Sequence, residues 1–100
     1  MVKVRKVIWS RKAKHSLKQH CDFIKNDSPS AAKRVRHEIL STTRNLGSMP
    51  NKFQVDELYP GNPGNIRRFF KWSYRVVYEV TDNTIIILNV FHTSQEPSKP

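Results

Sequence analysis

The stretch Tyr74-Arg75-Val76-Val77-Tyr78-Glu79-Val80-Thr81-Asp82-Asn83-Thr84-Ile85-Ile86-Ile87-Leu88-Asn89-Val90-Phe91-His92 reads as two β-strands around a turn. Both runs are rich in β-branched and aromatic residues, and Asp82-Asn83 between them is a turn signal. With Asp82 and Asn83 as the two loop residues, Thr81 faces Thr84, Arg75 lies opposite Val90 and Tyr74 opposite Phe91. Period-two alternation then sorts the side chains into two faces. Tyr74, Val76, Tyr78, Val80, Ile85, Ile87 and Phe91 make an apolar face expected to pack on helices. Ser73, Arg75, Val77, Glu79, Ile86, Leu88, Val90 and His92 make a mixed face expected to stay partly open, with His92 diagonal to Arg75 at roughly 7 Å. A guanidinium that binds phosphate beside a titratable imidazole suits phosphate chemistry. As solvent-side strand residues the same pair would carry none, since antiparallel sheets often wet one face.

Before this hairpin, Ile66 to Trp72 is expected as another strand. If Trp72 and Ser73 make the turn, Arg68 pairs with Val77 and shares the face of Arg75; a register one residue off would put Arg67 there instead. Nearer the N-terminus, Lys3 to Trp9 reads as a first strand and Ser10 as the N-cap of a helix from Arg11 to Asn26. That helix carries the stripe Ala13, Leu17, Cys21 and Ile24. Asp27-Ser28-Pro29 ends it and starts a second helix, with Ser28 capping and Pro29 in the first turn, where its missing N–H costs nothing. Ala32, Val35, Ile39 and Leu46 carry the second stripe, and Gly47 stops it. Ser48 to Gly64 is rich in Pro and Gly and is expected as loop with one short extended piece. Thr93 to Pro100 is expected as a loose tail. The fold class is therefore α+β: an antiparallel sheet in the order β-α-α-β-β-β, with an N-terminal helical hairpin packed on one face.

One hundred residues without repeat or linker bound the chain to a single domain over 1–100. No stretch approaches the ~20 apolar residues of a membrane span, and the basic start lacks the apolar run of a signal peptide, so a cytoplasmic location is expected. One cysteine, Cys21, cannot form an internal disulfide, which fits a reducing compartment. On the helix stripe it reads as a core filler. Net charge is +10 and uneven: residues 1–50 hold twelve basic and three acidic side chains, and residues 51–100 hold six and five. Such a surface favours polyanions, and equally an acidic protein partner. His15, His20 and His37 lack zinc-ligand spacing and carboxylate company, so they read as solvated helix residues, with no metal site and no cofactor implied.

The block Arg67-Arg68…Tyr74-Arg75-Val76-Val77-Tyr78, with the Ala13…Leu17 pattern, the Leu46…Pro50 helix end and the closing Val90-Phe91-His92, resembles the RelE/ParE superfamily of bacterial toxins. These are the small basic partners in type II toxin-antitoxin modules, and the resemblance runs from Val7 to about Pro97. It implies one of two activities: RelE-like members are ribosome-dependent mRNA endonucleases, and ParE-like members poison DNA gyrase without that chemistry. Thr93-Ser94-Gln95-Glu96-Pro97 departs from relatives that carry a basic cluster and a terminal tyrosine. What remains is similar to the subfamily using a Glu, an Arg and a His.

The favoured reading is a RelE-like, metal-independent endoribonuclease. The 2′-hydroxyl of RNA is the nucleophile, Glu57 (or Asp56) the base, Arg75 with Arg68 the phosphorane clamp and His92 the acid. Arg67, Lys71 and Lys52 are expected to bind substrate. Lys12, Lys18, Lys25, Lys33, Arg36 and Arg44 are candidates for docking on the ribosome, which would hold the messenger in line. Gyrase poisoning is the alternative. A third reading is a non-catalytic RNA-binding module in which Phe69, Phe70 and Trp72 stack bases. An acidic antitoxin is the partner the resemblance implies, and no membrane is involved.

Overall fold

The structure is a computed structural model that describes residues 4–95. Strand β1 (Lys6–Trp9) leads into helices α1 (Arg11–Asp27) and α2 (Pro29–Asn45), followed by β2 (Gln54–Val55), β3 (Ile66–Lys71), β4 (Tyr74–Val80), β5 (Thr84–His92) and a 3-10 turn at Thr93–Gln95. The expected tail thus begins as an ordered turn, and its remainder, 96–100, lies outside the described residues. The short extended piece expected in the Pro- and Gly-rich segment is β2.

Serines set the helix boundaries. Ser10 Oγ accepts from Ala13 N at 3.1 Å and so satisfies an amide that the first turn of α1 leaves without a helical partner. Ser28 serves both helices: its amide donates to Ile24 O at 2.9 Å, closing α1, while its hydroxyl accepts from Ala31 N at 3.2 Å, opening α2. Pro29 follows in the first turn, as expected.

The two helices form an antiparallel hairpin that returns the chain to the beginning of β1, where Arg5 N donates to Gly47 O at 2.8 Å. Gly47 is needed here for closeness rather than to stop a helix. A Cβ on it would lie 2.3 Å from Arg5 O, so any side chain would push the two segments apart.

Five strands form one sheet in the order β1-β5-β4-β3-β2. It is mixed rather than wholly antiparallel, because β1 runs parallel to β5, with Lys6 beside Thr84 and Trp9 beside Ile87. The helical hairpin covers one face. Ala13 and Leu17 of α1, Val35 and Ile39 of α2, and Leu46 meet Phe69, Tyr74, Val76, Tyr78, Ile85, Ile87 and Val90 in one core. Tyr78 is fully buried, its hydroxyl donating to Pro50 O at 3.0 Å, and burial pushes its phenol up to about 12.

One irregularity changes the faces. Val80 pairs with Ile85, Glu79 with Ile86 and Tyr78 with Ile87, the register that a two-residue Asp82-Asn83 loop requires. Beyond that point Val77 pairs with Asn89, Val76 with Val90, Arg75 with Phe91 and Tyr74 with His92. Leu88 is the extra residue of a β-bulge, and one inserted residue moves every later side chain of β5 to the opposite face. The expected pairing of Arg75 with Val90 is therefore corrected by one position. Val90 and His92 turn toward the helices, and Phe91 turns away.

Candidate functional site

Directly paired residues share a face. Arg75 and Phe91 hence lie on the outer face of the sheet, whereas Tyr74 and His92 lie on the helix face. The expected convergence of Arg75 and His92 over one open patch does not occur. Each residue has its own surroundings.

Arg75 is buried, only 4 % exposed. Its guanidinium lies over the Phe91 ring, 4.6 Å from the centroid, and Nη1 donates to Asp56 Oδ2. Asp56 is itself 1 % exposed, and its Oδ1 accepts from Leu58 N at 2.9 Å. Asn62 holds the loop that carries it, donating from Nδ2 to Asp56 O and Ile66 O, both at 2.8 Å. The ion pair therefore joins the β2–β3 loop to the middle of the sheet. Val77 and Asn89 are buried on the same face, so this region is not the open patch that the mixed composition suggests.

The other expected site residues scatter around that pair. Arg68 pairs with Val77, as a Trp72-Ser73 turn requires, and so shares the outer face with Arg75. It donates to Gln54 Oε1 at 3.3 Å and lies 4.9 Å from the Phe70 ring centroid. Arg67 turns to the helix face and donates to Phe53 O at 2.6 Å, a bond that ties β3 to the segment before β2. Lys52 sits over the Phe53 ring at 5.4 Å. Lys71 closes β3 opposite Tyr74. Glu57 is exposed on the loop, and its neighbour Asp56 takes the contact with Arg75.

On the helix face the structure assembles a cluster of rings. His92 and Tyr74 meet edge to face with centroids 5.1 Å apart, His20 of α1 lies 5.1 Å from Tyr74, and the two imidazoles are 6.4 Å apart. His20 Nε2 is 2.9 Å from Val90 O, and because a carbonyl only accepts, Nε2 carries the proton and a neutral ring keeps Nδ1 as acceptor. His92 Nδ1 accepts from Ser94 N at 3.1 Å, which leaves Nε2–H of the neutral ring as a donor. A cleft of about 400 Å³ lined by Gln19, His20, Phe23, Tyr74, His92 and Ser94 exposes this cluster. Burial raises the Tyr74 phenol above its ordinary value. His20 is thus a half-buried anchor of α1 on β5 rather than the solvated residue expected, while His15 and His37 are exposed. Its partner is a backbone carbonyl 70 positions away, so no local pattern announces it.

A second cleft, about 680 Å³, opens between the helices beside β1. Trp9, Leu17, Cys21 and Leu40 give it apolar walls, and Lys14, Lys18 and Arg36 line it with positive charge beside Asp22. Burial raises the Cys21 thiol above its ordinary value, which makes it a sluggish nucleophile. Among the described residues no group of three or more His, Cys, Asp or Glu could hold a metal ion, and no helix is long and apolar enough to cross a membrane.

The fold is that of the toxins in type II toxin-antitoxin modules. It is similar to a chain of the chromosomal ParDE toxin-antitoxin system from P. aeruginosa, with 20 % identity over 89 % of this chain and 96 % of that one and a TM-score of 0.69. It is also similar to a chain of the RelBE2 toxin-antitoxin complex from Mycobacterium tuberculosis, with 20 % identity, coverage of 92 % and 93 %, and a TM-score of 0.60. No curated protein matches the chain in sequence. Residues 7–97 match the family described as the ParE toxin of the type II toxin-antitoxin system parDE, and the chain belongs to that family, within the RelE/ParE superfamily.

Proposed function

We propose that this toxin acts as the ParE branch does, arresting DNA gyrase without cleaving a phosphodiester itself. The observation that supports this most directly is the separation of Arg75 from His92. A guanidinium buried against Asp56 is already neutralised, and an imidazole on the opposite face cannot protonate a leaving group held at Arg75. The match to the ParE family over 7–97 points the same way. The test sets purified toxin against DNA gyrase in a supercoiling assay and against a translating extract. The expected result is inhibited supercoiling with intact messenger. Cleaved messenger with gyrase unaffected would overturn the reading.

The mRNA endonuclease remains as a second reading because of the ring cluster. His20 Nδ1 as acceptor can take the proton of the 2′-hydroxyl, and His92, its ring 6.4 Å away, would return one to the departing 5′-oxygen as the imidazolium, which requires its Nδ1 to give up the bond from Ser94 N. In that case His20 takes the place of Glu57 as base, and loss of either imidazole lowers cleavage on the order of 100-fold.

The partner in both readings is an antitoxin, since the structural neighbours come from toxin-antitoxin systems and this chain carries +10. The cleft between the helices, apolar within and basic around Lys14, Lys18 and Arg36, suits an acidic amphipathic segment of that partner.

A further inference from the structure

The β3–β4 hairpin turns through only two residues, Trp72 and Ser73, between the paired Lys71 and Tyr74. Both two-residue turns that match strand twist need a positive φ at their first loop position, which is why Gly, Asn and Asp dominate there. Trp72 occupies it with φ 51°, the one non-glycine positive φ among the described residues. A bulky side chain in that region is strained, so the fold would be served better by glycine. Nor does the fold use the indole. Trp72 is 57 % exposed, and among the described residues it makes no ring contact.

Its neighbour Phe70 repeats the pattern. Alternation sends Phe69 into the core at 2 % exposure and leaves Phe70 outside at 49 %, with the Arg68 guanidinium against its ring. Any strand-forming polar residue would satisfy that outer position. From Arg67 to Tyr78 the chain holds four cations and no carboxylate. Exposed aromatic faces set among cations are what an unpaired nucleic-acid strand recognises: bases stack on rings, and phosphates meet guanidinium and ammonium groups.

We propose that the tip of this hairpin, Trp72 with Phe70 and Arg68 on the outer face and Lys71 at the edge of the helix face, is a contact for single-stranded nucleic acid. Bases stack on the two exposed rings, and the two cations take the flanking phosphates. The contact goes beyond the target assigned above and holds whether that target is gyrase with its opened DNA or the ribosome with its messenger.

The test titrates the full chain with short labelled oligonucleotides of one sequence as single-stranded DNA, single-stranded RNA and duplex DNA, following anisotropy and tryptophan emission. At least one single-stranded arm should bind more tightly than duplex, and whichever of DNA or RNA binds better identifies the natural source. Trp72→Gly should weaken that binding about tenfold or more. Its melting temperature should be unchanged or higher, because glycine accepts the positive φ. Trp72→Asn, which also tolerates that conformation, should lose binding in the same way, and Lys71→Ala should reduce the salt dependence by about one phosphate contact. Equal binding of duplex, no binding in any arm, or undiminished binding by both Trp72 variants would overturn the proposal. Loss of toxicity in Trp72→Gly with no nucleic-acid binding by the parent would also overturn it, in favour of a protein surface.

Discussion

The two faces of the β4–β5 ribbon solve opposite problems within a few residues of each other. On the outer face a full charge is buried and matched: Arg75 against Asp56, with the Phe91 ring alongside. On the helix face half-buried rings share a cleft, His20 bonded to Val90 O and His92 Nδ1 to the backbone N and the hydroxyl of Ser94. A buried, paired charge holds a loop in place and is costly to break. A half-buried pair of imidazoles lining a cleft contributes less to stability and remains available for binding or proton transfer. A site is thus recognised by what its groups still have to offer rather than by residue type.

The largest expected effect comes from removing Asp56. Asp56→Ala leaves the Arg75 guanidinium buried without its carboxylate and should cost about 3–5 kcal/mol in urea unfolding. Combining it with Arg75→Met, which keeps the bulk and removes the charge, should recover much of that loss. A cost under ~1 kcal/mol for Asp56→Ala would mean that the pair does not hold the loop. The same Arg75→Met chain should still arrest gyrase when folded; selective loss of activity at unchanged stability would return Arg75 to the reacting groups.

Alkaline titration probes the helix face. Tyr78 has its phenol pushed up to about 12 from an ordinary 10.0, so the folded state keeps a proton that the unfolded chain releases. Its contribution is complete below about pH 10 and disappears as pH rises toward 12, so stability should fall across that window. Tyr78→Phe should flatten the fall while costing about 1 kcal/mol through the lost bond to Pro50. An unchanged slope in Tyr78→Phe would assign the titration to another group.

The imidazoles should matter less to folding. His20→Ala removes the bond to Val90 O and should cost about 1 kcal/mol, well under the cost of Asp56→Ala. If instead it equals Asp56→Ala, the contrast between the faces fails. Smallest of all is Lys18→Ala, whose salt bridge to Asp22 is exposed at both ends, and its unfolding midpoint should not move. Weaker antitoxin binding by that variant at unchanged stability would place the partner at the interhelical cleft.

How much of this was legible beforehand depends on the range of the force that sets each feature. Ser10 and Ser28 reveal both helix starts because a cap acts over three residues. The Arg68 and Val77 pairing follows from a two-residue turn next to it. The face of His92 does not follow from the Asp82-Asn83 turn because the bulge at Leu88 lies between them. His20 on α1 gives no local signal because its hydrogen-bond partner lies on β5, 70 positions away. Local sequence does not separate Asp56 from Glu57, because the loop fold that buries Asp56 depends on Asn62 and on Arg75 far along the chain.

By itself the amino-acid order determined the two capped helices, the β-hairpins, the basic charge and the family block, since these arise from caps, turns and alternation among near neighbours. Tertiary structure alone decided the parallel pairing of β1 with β5, the bulge and the burial of Arg75. The reason is that these features are settled by contacts between distant segments. Ser10 donates from N to Ile87 O at 3.0 Å and from Oγ to Leu88 O at 3.1 Å, beside the bulge, across a separation of 78 positions in the latter bond. Such bonds depend on where the whole chain has packed, and local patterns do not record that.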